Sequence, residues 1–123
     1  MLSLPSRTKM FLCIHPVDMR KSFDGLTGIV KEEFRQDPIN GLLFLFVNKR
    51  RDRMKAIFWD DDGFVIWYKR LEAGTWQLPI VPASLTAGVT TLELEAHELA
   101  MILRGIDLKS ARRRARYQQP VAV

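Results

Sequence analysis

Positively charged side chains are concentrated in two short stretches that flank an aromatic-rich pair of predicted strands. The first stretch is KRRDR at 49–53, with Lys55 shortly after it, and the second is the Lys69–Arg70 pair. Arginine can bind phosphate through two parallel hydrogen bonds, whereas lysine acts as a point charge. The two stretches therefore predict a site for a polyanion, and nucleic acid is the first partner to consider.

Three aromatic side chains lie on the same predicted hairpin and could stack on bases, namely Trp59, Trp67 and Tyr68. Packing in the core is the competing role for these aromatics, and we expect it first. The competing interpretation of KRRDR is a solvated hairpin end in which Asp52 partly neutralises its neighbours. An acidic surface of another protein is the alternative partner.

A second basic segment lies at the end of the sequence, within Lys109–Arg116. It could act as a disordered arm that binds phosphate, or only as a solubilising tail. Its candidate phosphate contacts are Arg112, Arg113, Arg114 and Arg116.

The acidic run Asp60-Asp61-Asp62 raises the possibility of a metal site. Two-metal nucleases need carboxylates that converge from separate elements, whereas adjacent residues on a tight turn point in different directions. Asp-Gly is common turn chemistry, so a turn is the favoured interpretation. The sequence has no GxGxxG, P-loop, GxSxG or HExxH motif. We therefore expect no catalytic residues, no metal and no cofactor.

Length and composition are typical of one globular domain. The chain has 123 residues, 47% of them apolar, and a single cysteine, Cys13, which excludes an internal disulfide. The longest apolar run, Leu42 to Val47, is far shorter than the roughly 20 residues of a membrane span. We expect a cytoplasmic protein with neither a membrane partner nor a small-molecule substrate.

The net charge of +5 is unevenly distributed. Residues 49–70 carry 7 basic and 4 acidic groups, and residues 104–123 carry 6 basic and 1 acidic group. Residues 71–103 carry 4 acidic groups and no lysine or arginine. The clustering says more than the total, because a cationic segment attracts polyanions and an acidic one does not.

Apolar spacing predicts the elements that would position these groups. A short strand at 10–14 is followed by a helix of about five turns, with Asp18 as its N-cap and an apolar stripe that ends at Phe34. Gly25 and Gly28 within that helix suggest either a close approach to a sheet or a break. Strands are predicted at 42–48, 54–60 and 64–71, with a possible strand at 89–95 and a short helix from Glu95 that stops at Gly105.

This order predicts an α+β fold, with a small antiparallel sheet of three to five strands, one main helix packed on a face and a short C-terminal helix. We assign residues 1–108 to one domain and residues 109–123 to a basic C-terminal tail. Antiparallel pairing around the acidic turn should bring Lys69 and Arg70 close to 49–55.

Four motifs in register resemble one family. They are DMRKSFDGL (18–26), FVNKRRDRMK (46–55), FWDDDGFVIWYKRLEAG (58–74) and WQLP (76–79). Their sequences, order and spacing resemble TnpB, the accessory protein of insertion-sequence-66 bacterial transposable elements, from about residue 9 to about residue 108. That family is distinct from the longer RNA-guided nucleases that share the name.

The resemblance implies a non-enzymatic accessory role in transposition, beside a separate transposase that carries the catalytic residues. We expect the cationic hairpin end to contact the phosphates of element DNA, and contacts of this type give weak sequence preference. The alternatives are a protein-interaction module that docks on the transposase without DNA, and a small metal-dependent nuclease. The basic and aromatic positions that match the family motifs are Arg20, Lys21, Lys49, Arg50, Arg51, Arg53, Lys55, Tyr68, Lys69 and Arg70.

Overall fold

The part of the chain that the structure describes folds as a five-stranded sheet with two helices, which confirms the predicted α+β class. The structure is a computed structural model and describes residues 9–79 and 90–105. The strands and helices in chain order are β1 (Met10–Cys13), α1 (Phe23–Glu32), β2 (Leu43–Val47), β3 (Arg53–Asp60), β4 (Gly63–Arg70), β5 (Thr91–Leu94) and α2 (Ala96–Arg104).

The strand order across the sheet is β4-β3-β2-β1-β5. All neighbours are antiparallel except β1 and β2, which pair in parallel with Met10 opposite Leu43. The sequence predicted an antiparallel sheet, and this pair is the exception. The chain between β1 and β2 contains α1, and a crossover of this kind returns the second strand in the same direction as the first.

The sheet carries an apolar core on each face. On one face, Leu26 and Val30 of α1 belong to a buried cluster with Phe44 and Phe46 of β2. On the other face, Leu99 and Ile102 of α2 share a cluster with β1, β2 and Trp76. β2 is buried along its whole length because it lies in the middle of the sheet with a core on each side.

The first helix is shorter than the apolar stripe predicted. It begins at Phe23 with Ser22 as its N-cap, so the prediction that Asp18 caps the helix is wrong. The Asp18 carboxylate instead accepts the backbone N–H of Arg20 at 2.9 Å and stabilises the turn before the helix. Phe34 lies beyond the helix end but is still buried, which explains why its spacing imitated a fifth turn.

The glycines of α1 do not mark an approach to the sheet. An added Cβ at Gly25 would lie 3.1 Å from Cβ of Lys21, whereas a Cβ at Gly28 would meet nothing within 4 Å. Gly25 therefore makes room for the aliphatic stem of Lys21, which precedes the helix.

The second helix follows β5 directly and ends as predicted. A capping box joins Glu95 and Glu98 at its start, and Gly105 closes it in the left-handed conformation, with φ 77°. No helix within 9–79 and 90–105 is long and apolar enough to cross a membrane. The predicted basic tail, with Arg112, Arg113, Arg114 and Arg116, lies outside the described residues.

Candidate nucleic-acid interface

The KRRDR segment forms a loop that one asparagine organises. Asn48 follows the last residue of β2, and its side-chain oxygen accepts the backbone N–H groups of Asp52 and Arg53, each at 3.0 Å. Its amide nitrogen donates to the Asp52 carboxylate at 2.6 Å. These side-chain bonds replace the strand ladder where the chain reverses, so the loop has a defined shape.

Backbone hydrogen bonds connect this loop to neighbouring segments. The carbonyl of Arg51, which has a positive φ of 60°, accepts the N–H of buried Trp76 at 2.8 Å. The carbonyl of Asp52 accepts the N–H of Leu71 at 2.8 Å. The charged side chains of the loop therefore project from a backbone that is held in place on several sides.

The hairpin β3–β4 brings the two basic stretches together, as the sequence predicted. Arg53 pairs with Arg70, Met54 with Lys69 and Lys55 with Tyr68. Because side chains alternate along a strand, Arg53, Lys55, Tyr68 and Arg70 share one face of the sheet. Lys69 lies on the opposite face, so it belongs to the same end of the sheet but not to the same surface.

Two grooves run along this end of the sheet and share Arg53. The first has a volume of about 420 Å³ and lies between the segment Pro16–Met19 and the loop, where Lys49 and Arg50 line it. The second has a volume of about 410 Å³ and is lined by Arg53, Tyr68, Arg70 and Glu72. We call the surface formed by these two grooves the basic edge. Arg51 and Lys69 line neither groove.

The cations of the loop and Lys69 of β4 are exposed and have no ion-pair partner among the described residues. These residues are Lys49, Arg50, Arg51, Arg53 and Lys69. The Asp52 carboxylate accepts a hydrogen bond from the neutral Asn48 amide and lines the first groove together with Lys49 and Arg50, so its negative charge remains there. Asp52 therefore offsets the loop charge only in part, because the segment 49–53 carries four cations and one carboxylate.

Two candidate arginines do have carboxylate partners. Arg20 forms an exposed pair with Asp18 at 2.6 Å, and Arg70 forms one with Glu72 at 2.9 Å. The side-chain hydrogen bonds from Arg20 lower the pKa of Asp18 to about 2. Exposed pairs of this kind contribute little net stability, so an incoming anion can compete for the guanidinium groups.

Lys55 differs from the other candidates because its ammonium group is used inside the protein. The residue is only 7% exposed, and Nζ donates to the backbone carbonyl of Lys21 at 2.7 Å. The same Nζ lies 4.8 Å from the centroid of the Tyr68 ring, in a cation–π contact. Direct phosphate binding by Lys55 would require breaking these contacts.

The aromatic side chains of the hairpin divide into packed and exposed groups. Trp67 packs against the buried cluster that contains Leu99 and Ile102 of α2. Trp59 contacts Phe64 edge to face, with 5.1 Å between the ring centroids, beside the acidic turn of the hairpin. Tyr68 is 47% exposed and lines the second groove. Tyr68 is therefore the aromatic of this hairpin that lies among the cations of the basic edge.

Cross-strand pairing places Arg53 directly opposite Arg70 on this surface. Like charges at directly opposed positions destabilise a sheet. Glu72 offsets the charge of Arg70, but Arg53 has no carboxylate partner among the described residues. An anion bound between the two arginine side chains would relieve their repulsion.

The acidic turn is a two-residue hairpin loop between Asp60 and Gly63, which pair with each other. Asp61 adopts the left-handed conformation, with φ 54°, so the glycine does not supply the positive φ. Within the described residues, the one cluster with suitably close metal-ligating atoms is Glu95, His97 and Glu98. Its two glutamates already form the capping box of α2.

The sequence interpretation missed the residues that shape the basic edge without carrying its charge. Asn48 could have been recognised, because an Asn at the end of a buried strand, four residues before an Asp, is a turn signal. The contribution of Trp76 had no local signal, since its contact with the loop joins segments that are distant in sequence.

Comparison with known proteins identifies one family. The profile of the family described as "IS66 Orf2 like protein" matches residues 8–113. The uncharacterised protein y4jC of Sinorhizobium fredii is 31% identical over 111 residues, which cover 89% of this chain and 90% of y4jC. The uncharacterised protein y4hO of the same organism is 27% identical over 107 residues, 87% of this chain and 88% of y4hO. No solved structure matches.

Proposed function

Since this chain belongs to the IS66 Orf2-like family, whose members are transposition-associated accessory proteins, we propose that it assists a separate transposase by binding element DNA through its basic edge. In this proposal the protein has no catalytic residues of its own. The candidate contacts are the cations of the first groove, Lys49, Arg50 and Arg53, together with the flanking Lys21 and the arginines that an anion can release from their ion pairs.

The observation that carries the proposal is the excess positive charge of the loop, which has four cations and one carboxylate. Lys49, Arg50 and Arg53 line a single groove, and none of them has a carboxylate partner within the described residues. The Asn48 hydrogen bonds fix the backbone that carries them, so little ordering of that backbone is required when an anion binds.

Contacts of this type position a protein on DNA without reading its sequence. Guanidinium and ammonium groups bind phosphate oxygens, which are the same at every base pair. We therefore expect similar affinity for element ends and for unrelated duplexes of equal length, with sequence choice left to the transposase.

A salt series tests this proposal. Fluorescence anisotropy with a labelled duplex of an element end, and with a scrambled duplex, is measured between 0.05 and 0.3 M salt. The three cations of the first groove alone predict that log K falls against log salt with a slope of about −2.7 for both duplexes, and each further contact steepens the slope by about 0.9. No binding at low salt, or binding that is independent of salt, would contradict the proposal.

A second candidate function is a protein-interaction module that docks on the transposase without DNA. It is supported by the carboxylates that line both grooves, Asp18 and Asp52 in the first and Glu72 in the second. A surface of mixed charge suits a protein partner with complementary charges. Capture of the transposase that survives nuclease digestion, by a protein without DNA affinity of its own, would favour this candidate.

The nuclease alternative has a simple test. Supercoiled plasmid is incubated with the protein and Mg²⁺ or Mn²⁺, and the proposal predicts no nicking above a protein-free control. Cleavage that is lost on Asp60→Asn or Asp62→Asn substitution would contradict the non-enzymatic assignment.

A further inference from the structure

We propose that Tyr68 is a stacking platform for an unpaired base, so that the second groove of the basic edge binds a single-stranded nucleotide. This inference rests on the proposed function, because it names the form of nucleic acid that the same surface would bind. It combines three features of that groove: an exposed ring, the position of the ring, and the cations around it.

The Tyr68 ring is exposed to solvent on the edge strand β4. It is 47% exposed, whereas its strand neighbours Ile66 and Trp67 are partly buried. Bases of every kind have a π-face that can stack on such a ring. A base within a duplex is already stacked on its neighbours, so the ring selects for an unpaired base.

Lys55 positions the ring from one side. Its ammonium lies 4.8 Å from the ring centroid and is fixed by its hydrogen bond to the Lys21 carbonyl. Because the lysine is almost completely buried, its ammonium contacts the ring at a fixed position before any ligand binds. The ammonium approaches one face of the ring, and we assign the other face to the base.

The cations of the second groove are arranged to hold the adjoining phosphate. Arg53 and Arg70 are cross-strand neighbours, and they line the same groove as Tyr68. A phosphate between them would relieve the repulsion of two directly opposed arginines. The groove volume of about 410 Å³ is within the range of small-ligand clefts, which suits one nucleotide.

Glu72 is the feature of the groove that opposes an anion. It pairs with Arg70 at 2.9 Å, and both side chains are more than half exposed. A phosphate must therefore compete with an exposed carboxylate. Glu72→Gln frees Arg70 and removes a negative charge, so it should strengthen single-strand binding.

The test uses three fluorescent ligands of equal length: a single strand, the corresponding duplex, and an abasic strand that keeps the phosphates but lacks the bases. Anisotropy is measured with the full chain and with Tyr68→Phe and Tyr68→Leu. Tyr68 is exposed, and a thermal melt of each variant checks that it is folded.

The full chain should bind the single strand about tenfold more tightly than the abasic strand, which is within the range for stacking of one base. Tyr68→Phe should keep this preference, because the ring stacks and the hydroxyl does not. Tyr68→Leu should lose it while its duplex affinity stays within about twofold and its salt slope is unchanged, because no charge is removed.

Equal affinity of the full chain for the single and abasic strands would overturn the stacking role while leaving phosphate binding intact. The same conclusion follows if Tyr68→Leu weakens the single strand and the duplex equally. Failure to bind any of the three ligands at 0.05 M salt would overturn the proposed function as well, so the two failures are distinguishable.

Discussion

Replacing Arg53 by glutamine should weaken DNA binding and leave folding intact. Arg53 is exposed, lines both grooves of the basic edge and has no ion-pair partner among the described residues. The substitution keeps a polar side chain of similar length and removes one positive charge. Its effect on binding should therefore come from the contact that Arg53 makes with a bound anion.

The size of the effect follows from counterion release. One phosphate contact on duplex DNA contributes about 0.9 to the slope of log K against log salt. Losing that contact should reduce affinity about eightfold at 0.1 M salt and about fourfold at 0.2 M, with little difference near 1 M. The slope of the variant should be shallower than that of the parent chain by about 0.9.

The free energy of unfolding should increase, although the affinity for DNA decreases. Removing Arg53 eliminates a like-charge pair with Arg70, so unfolding should become harder by about 0.2 to 1 kcal/mol. Weaker binding together with greater stability is expected when the replaced residue favours binding but disfavours folding. A residue that serves only to stabilise the hairpin would lose stability when replaced.

Duplex anisotropy between 0.05 and 0.4 M salt and urea unfolding measure the two quantities. Lys31→Gln is the matched control, because Lys31 is an exposed lysine in the last turn of α1 and lines neither groove. The control should keep the parental slope. Equal slopes for the parent chain and Arg53→Gln, or an equal loss in both variants, would refute the reasoning.

Three further predictions concern the elements that support the basic edge. Gly28→Ala should stabilise the protein by about 1 kcal/mol in urea unfolding, because an added Cβ has open space and alanine favours helix. Gly25→Ala should stabilise the protein less, because its added Cβ would lie 3.1 Å from the side chain of Lys21. Asn48→Ala should lower the free energy of unfolding by about 1 to 3 kcal/mol, because the Asn48 side chain makes three hydrogen bonds, and it should also weaken duplex binding. An unchanged free energy of unfolding would show that the loop does not depend on this residue. The pKa of Asp18 is lowered to about 2 in the folded protein, whereas an Asp in the unfolded chain has a pKa of about 4. The pair with Arg20 therefore stabilises the fold fully above the unfolded pKa, and this stabilisation is lost as the pH falls through the folded pKa of about 2. The stability difference between the parent chain and Asp18→Asn should be constant from pH 7 to 5 and should disappear near pH 2, and a difference independent of pH would contradict this pairing.

The hairpin was the part of the fold that the sequence specified most completely. The two strands of β3–β4 are joined by only Asp61 and Asp62, so the positions of the strands and the turn determine the register. This was sufficient to predict that Lys69 and Arg70 lie close to 49–55, and the structure pairs Arg70 with Arg53. The parallel pairing of β1 and β2 could not be read in the same way, because it depends on how α1 crosses the sheet.

Helix boundaries were less predictable for a local reason. Asp18 is a good capping residue, and it does accept a backbone N–H, but that bond closes a turn four residues before α1 begins. The apolar stripe extended past both ends of the helix, because Met19 before it and Phe34 beyond it both pack on the same core. Burial followed the pattern at Leu26, Val30 and Phe34, but Phe23 at the start of α1 is 45% exposed.

The sequence located the charges of the candidate site but not the roles that individual side chains play. Lys55 and Arg53 are two positions apart on the same face, yet one is buried beneath Tyr68 and the other is exposed. The difference arises because Lys55 lies beside the Lys21 carbonyl, a contact between residues 34 positions apart. Local patterns contain no information about such a neighbour.

The most direct measurement of the central claim is a map of backbone amide shifts in a ¹⁵N-labelled sample titrated with a short oligonucleotide. The account predicts the largest shifts in the loop 48–53 and at 68–70, with α2 and β5 nearly unchanged. Shifts centred on α2, or a saturating titration that leaves 48–53 unperturbed, would contradict the assignment of nucleic-acid binding to the basic edge.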